Sequence, residues 1–186
     1  MPTSKFTMLL TAAAFAAISS VASAQTMPMV GGAPMDPAQP IPVNASKANN
    51  LTTLVAAVKA ADLVDTLASP GPFTVFAPTN AAFEALPAGT VDTLLMPQNK
   101  AQLAGVLTYH VVAGDLSAAD LMAMAQSSPD KLANLKTVEG GPLSVRFMNG
   151  GAVIYDESGN RYRISQTDVN QKNGVVHVID GVLLPK

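Results

Sequence analysis

Residues Phe73-Thr-Val-Phe-Ala-Pro-Thr-Asn-Ala-Ala-Phe83 read as an apolar strand that runs without a linker into a capped helix. Pro78 ends the ladder, because proline has no amide donor, and it biases Ala77 toward extended backbone. Thr79 or Asn80 then supplies the side-chain oxygen that opens a short helix through Ala85. Two later segments echo this one: Leu107-Thr-Tyr-His-Val-Val112 and Asn173-Gly-Val-Val-His-Val-Ile-Asp-Gly-Val-Leu-Leu-Pro185. Their order and spacing constrain the fold more than any other feature. Phe73, Phe76, Phe83, Val176, Val178, Leu183 and Leu184 are the expected core.

Residues 1–24 read as a secretory signal: a basic start at Lys5, an apolar stretch from Phe6 to Ile18, and Ala22-Ser23-Ala24 before a cleavage point at Gln25. No later segment has the roughly 18 apolar residues of a membrane helix. The expected mature protein is secreted or periplasmic and one domain in size. With Cys 0, it must hold its core without disulfides. Lys+Arg 11 against Asp+Glu 13 gives a net charge of −2, one more negative once Lys5 is removed. That balance gives no electrostatic case for nucleic acid or anionic lipid. The low charged fraction, 13 %, suits contact with other surfaces.

Residues 25–43 carry Pro28, Pro34, Pro37, Pro40 and Pro42 and read as a semi-extended linker that forms neither helix nor ladder. The domain is expected over residues 44–186. Leu51, Leu54, Val55 and Val58 have helical spacing, and Leu63, Val64 and Leu67 add a helical turn capped by Asp62. Helices are expected over Thr90–Leu95 and Asn99–Leu107, and a strand over Tyr109–Val112. Ser117 and Asp120 resemble a capping box for a helix to about Ala125. Strands follow at Leu143–Met148 and Ala152–Tyr155 around Asn149-Gly150-Gly151, then at Arg161–Ser165, Val175–Ile179 and Val182–Leu184. Helices first and antiparallel strands last make an α+β pattern.

These segments resemble the fasciclin domain. Phe73–Phe83 matches the family's first hydrophobic box, Tyr109-His110 its tyrosine–histidine motif, and Asn173–Pro185 its second box. The resemblance covers about residues 44–186. It implies a β-sandwich or wedge with N-terminal and packed helices, and roles in extracellular adhesion or matrix contact. It makes Phe76, Pro78, Asn80, Phe83, Tyr109, His110, Asn173, Gly174 and His177 a structural motif. It also implies that His110 bonds near Asn80, tying the middle of the chain to the first box.

His110 and His177 are the only histidines, and both lie in apolar runs. A metal site needs a third ligand that no cysteine or further histidine supplies, so core histidines are favoured and no metal or cofactor is expected. There is no Gly-x-Ser-x-Gly elbow, His-Glu-x-x-His or phosphate loop, and Asp62/Asp65 and Asp156/Glu157 read as a cap and solvated charges. An enzyme is not expected. Asp168-Val169 stands where some animal fasciclin domains carry an Asp-Ile pair tied to integrin contact. The plainer reading is that Asp168 ends a strand and Val169 packs inward. Arg146, Arg161 and Arg163 fall on neighbouring strands, either as a solvated edge or as contacts to an acidic polymer. The expected function is non-catalytic adhesion to an unidentified cell-surface or matrix protein or polysaccharide. The alternative is a carrier of a small apolar ligand, since some fasciclin relatives bind pigments or lipids. Leu121 to Met124 would line its groove.

Overall fold

The computed structural model describes residues 27–148 and 151–186. The signal expected at 1–24 and the turn at Asn149-Gly150 lie outside the described residues. The chain opens with a small hairpin, β1 (Met29–Val30) and β2 (Ala33–Pro34), followed by helices α1 (Ile41–Ala45), α2 (Thr52–Ala60) and α3 (Val64–Ala68). The first box gives β3 (Phe73–Pro78) and α4 (Asn80–Glu84), with the Thr79 hydroxyl capping the amide of Ala82 at 3.3 Å. Helix α5 (Thr90–Leu95), a 3-10 turn (Pro97–Asn99) and α6 (Lys100–Tyr109) lead to β4 (Val111–Ala113) and α7 (Ala118–Ser127). The capping box at Ser117 and Asp120 is fully formed. A meander closes the fold: β5 (Ala133–Lys136), β6 (Pro142–Met148), β7 (Gly151–Tyr155), β8 (Arg161–Gln171) and β9 (Gly174–Ile179).

Among the described residues, seven strands form one sheet in the order β4-β3-β9-β8-β7-β6-β5. Only β3 and β9 run parallel, pairing Phe73 with Gly174 and Phe76 with His177. The sheet curls until its outer strands nearly meet, where Val112 bridges Thr137 and the Val138 amide bonds the Val111 carbonyl at 2.7 Å. The result is a nearly closed wedge with helices packed on it. The two boxes lie side by side at its centre and are covered on both faces, which is why each reads as an unbroken apolar run. Val75, Ala77, Val176 and Val178 face the helices and share a core with Leu54, Val58 and Leu107. Phe76 and Ile179 face the interior of the curl with Tyr109, Leu121, Ile154 and Leu183.

Several expectations are corrected. The proline-rich segment is not a free linker: it forms β1, β2 and α1, and buries Val30, Met35 and Ile41 in the core. Pro40 and Pro42 stand at the start of α1, where no amide donor is needed. Tyr109 ends helix α6 and His110 caps it, so the strand begins at Val111. Asp62 does not cap α3; it stands at φ 56° and pairs with Lys100. Strand β5 was not expected, and β8 runs six residues beyond Ser165. Val182 and Leu183 are buried and Leu184 half-buried, but the segment is not a strand, because the Leu183 amide bonds a side chain instead of a ladder.

Candidate functional site

The motif residues form a set of fastenings between helices and sheet. Asn80 opens α4 and bonds the start of α2: its Oδ1 accepts from the Thr53 amide at 3.0 Å, and its Nδ2 donates to the Asn49 carbonyl at 3.1 Å and Thr52 Oγ1 at 2.9 Å. Asn173 serves two helices at once. Its Oδ1 accepts from the Ile41 amide at 3.1 Å, and its Nδ2 donates to the carbonyls of Leu67 at 2.7 Å and Ser69 at 3.0 Å. One side chain thus satisfies the start of α1 and the end of α3. Tyr109 donates its hydroxyl to the Pro142 carbonyl and accepts from the Glu157 amide, both at 2.8 Å. Burial raises its pKa.

His110 does not reach Asn80. Its Nε2 accepts from the Leu183 amide at 2.9 Å, so Nδ1 carries the proton and donates to the Val106 carbonyl at 2.8 Å. The link to the first box runs instead through the backbone, from the Phe76 amide to the His110 carbonyl at 2.9 Å. His177 is satisfied in the same way: Nδ1 accepts from the Asp168 amide at 3.3 Å and Nε2 donates to the Leu116 carbonyl at 2.8 Å. Its ring stacks on Phe76 with centroids 5.5 Å apart. Burial pushes the pKa of His110 down to about 4 and lowers that of His177 as well. Both imidazoles are neutral at physiological pH with each ring nitrogen engaged inside the fold. Neither has a lone pair or proton available for chemistry. Among the described residues, no three His, Cys, Asp or Glu side chains gather to hold a metal ion.

Asp168 stands inside β8 at φ 57°, at an irregularity in the pairing with β9, not at a strand end. Its Oδ1 accepts from the Ala118 amide at 2.7 Å, and Val169 is buried in the core. The carboxylate therefore caps α7, which leaves little of the pair for a partner. Asp156 is likewise not a solvated charge: it is buried and accepts from the Asn160 amide at 2.8 Å and Nδ2 at 2.9 Å.

Two surfaces remain. The first is the outward face of β6, β7 and β8. Arg146 lies opposite Val153, which lies opposite Arg163, and Tyr155 lies opposite Arg161. All three arginines of the chain are on this one face and exposed, two strand spacings or ~10 Å apart for Arg146 and Arg163. Lys136 on β5 extends the patch.

The second is an apolar chamber of about 310 Å³ between the N-terminal helices and the β3–β9 pair. Val30, Met35, Ile41, Leu54, Val58 and Val176 line it, and Lys59 is its one charged side chain. The groove expected at Leu121–Met124 is not this chamber: Leu121 is buried, while Met122 and Met124 face solvent on α7. No single stretch of sequence marks the chamber, because its lining is drawn from residues far apart in the chain, from Val30 to Val176.

Comparison with known proteins agrees with this architecture. The fasciclin domain family model matches residues 49–185. The chain is 41 % identical to protein sll1483 of Synechocystis over 169 residues, covering 91 % of this chain and 86 % of that one. It is 38 % identical to the immunogenic protein MPB70 of Mycobacterium bovis over 156 residues, 78 % of this chain and 69 % of the relative. It is also 38 % identical over 137 residues to the pig transforming growth factor-beta-induced protein ig-h3, 74 % of this chain but only 18 % of that much longer protein. A solved domain pair from the insect cell adhesion molecule Fasciclin I superposes with a TM-score of 0.69 at 22 % identity, over 78 % of this chain and 51 % of the other. The protein described here belongs to the fasciclin domain family.

Proposed function

We propose that this protein is an exported, non-catalytic contact module that binds a cell-surface or matrix partner, protein or polysaccharide, in the periplasm or outside the cell. The observation that carries this reading is the gathering of every arginine in the chain on the outward face of β6 and β8. Arginine presents a planar fork of donors suited to carboxylates and sulfates, and the half-buried Tyr155 between Ser144 and Arg161 adds a flat apolar surface. The full engagement of both histidines argues against acid–base or metal chemistry. Among the described residues no helix is long and apolar enough to cross a membrane. The relatives named as an immunogenic protein and as an adhesion molecule are consistent with a surface role. The test is binding of the purified protein to intact host cells and to immobilised acidic polysaccharide, with Arg146, Arg161 and Arg163 changed together to Gln. Binding that is salt-sensitive and lost in the variant supports the contact face; binding indifferent to the three changes removes it. Export is checked by sequencing the N-terminus of periplasmic or secreted protein, which should begin at Gln25.

A second reading, a carrier of a small apolar ligand, is favoured by the chamber. Its volume lies at the lower end of small-molecule sites, which are about 300–1,000 Å³, and its lining is predominantly apolar as those sites are. Native mass spectra of protein purified from its own host test it: bound extra mass supports a carrier.

A further inference from the structure

The chamber has a chemical polarity that narrows its ligand. Its polar lining groups are mostly satisfied by the fold itself. Asn44 bonds Gln171 and the Asp36 carbonyl, His110 is bonded at both nitrogens, and the Thr108 hydroxyl donates to the Ala104 carbonyl. Lys59 is different. It is exposed, in the last turn of α2, and therefore stands where the chamber meets solvent. The nearby acid Asp62 is taken by Lys100, the one ion pair among the described residues. Lys59 thus keeps its charge unneutralised at the rim of an otherwise apolar space.

Resting on the carrier reading, we infer that the chamber binds the single alkyl chain of a carboxylate amphiphile, with the chain among Val30, Ile41, Leu54 and Val176 and the carboxylate at Lys59. The volume suits one chain and not the paired chains of a bilayer phospholipid. An ammonium on a flexible stem matches a head group that must stay hydrated while its tail is buried.

The experiment is isothermal titration of the purified protein with sodium dodecanoate, methyl dodecanoate and dodecyltrimethylammonium. Dodecanoate should bind one-to-one, and the cationic chain about tenfold more weakly, the scale of one charge-assisted contact. Lys59→Gln should erase that preference and Lys59→Glu should reverse it. Both changes are on the surface and should leave the melting temperature unmoved. Ala45→Trp, which fills the chamber from α1, should lose all three ligands. Equal binding of acid, ester and cation, unaffected by Lys59→Glu, overturns the carboxylate assignment and leaves a carrier of neutral chains. Absence of binding by any of the three overturns the carrier reading with it.

Discussion

A β-carbon placed on Gly174 would stand 1.8 Å from the carbonyl oxygen of Phe73. The two residues are partners in the parallel pair that joins the boxes, and Gly174 adopts φ 151°, which other residues rarely occupy. The obstacle is backbone on the neighbouring strand, so it cannot rotate away. Gly174→Ala should therefore destabilise the protein by about 3 kcal/mol, the upper range for an overpacked site. Urea unfolding measures this, and a variant within 1 kcal/mol of the parent (about a fivefold change in the folding equilibrium) would show that the strands are not this close.

Asn173 should be as sensitive for a different reason. Its three side-chain hydrogen bonds join α1, α3 and the start of β9. Asn173→Ala leaves a buried amide and two carbonyls without partners, a loss of about 2–4 kcal/mol. Asn173→Asp is the sharper probe. A carboxylate still accepts from Ile41 but cannot donate to Leu67 and Ser69, so it should be no more stable than the alanine variant. If aspartate restores wild-type stability in denaturation, the donor half of the arrangement is wrong.

The histidines predict how stability depends on pH. The folded pKa of His110, about 4, lies below the ordinary value of 6.5, so the unfolded chain binds the proton more readily. Its contribution is complete above 6.5 and is lost as pH falls toward 4. Moving from pH 7 to pH 5 should cost about 2 kcal/mol from this residue, with His177 shifted in the same direction. Denaturant curves superimposable at pH 7 and pH 5 would contradict the burial of both rings as neutral groups.

The proline-rich segment gives a fourth test. Removing residues 25–40 deletes Val30 and Met35 from the core. Burial of a single such side chain contributes about 1.5–3 kcal/mol, so the truncated protein should melt well below the full one. A true linker would leave the melt unchanged.

Much of this arrangement was legible because some elements announce themselves locally. Phe73–Pro78 and Gly174–Ile179 are apolar on both faces, and the resemblance of the boxes placed them correctly. Ser117 and Asp120 form the capping box their spacing describes. Other elements carry no such local mark. Leu107, Tyr109 and Val111 alternate as strand residues do while Leu107 and Val111 also fit helical spacing, so no change of period marks where helix α6 ends at Tyr109. Strand β5 does alternate, with Ala133 and Leu135 inward, but four residues are too few to stand out. Between residues 28 and 42 the five prolines mask the folding signal, which lies in the apolar Val30, Met35 and Ile41. The chamber has no local signature, since its walls come from α1, α2, α3, β3 and β9 together.

The parallel pairing of β3 with β9 also orders the birth of the molecule. Strand β9, the last of this sheet in chain order, is inserted at its middle, between β3 and β8. Until residues 174–179 are available, the first box has an open side and the curl cannot close. A chain delivered N-terminus first through any narrow passage would therefore stay pliable until residues 174–179 emerge. Folding with so many distant pairings is slow, so transit can finish before closure begins.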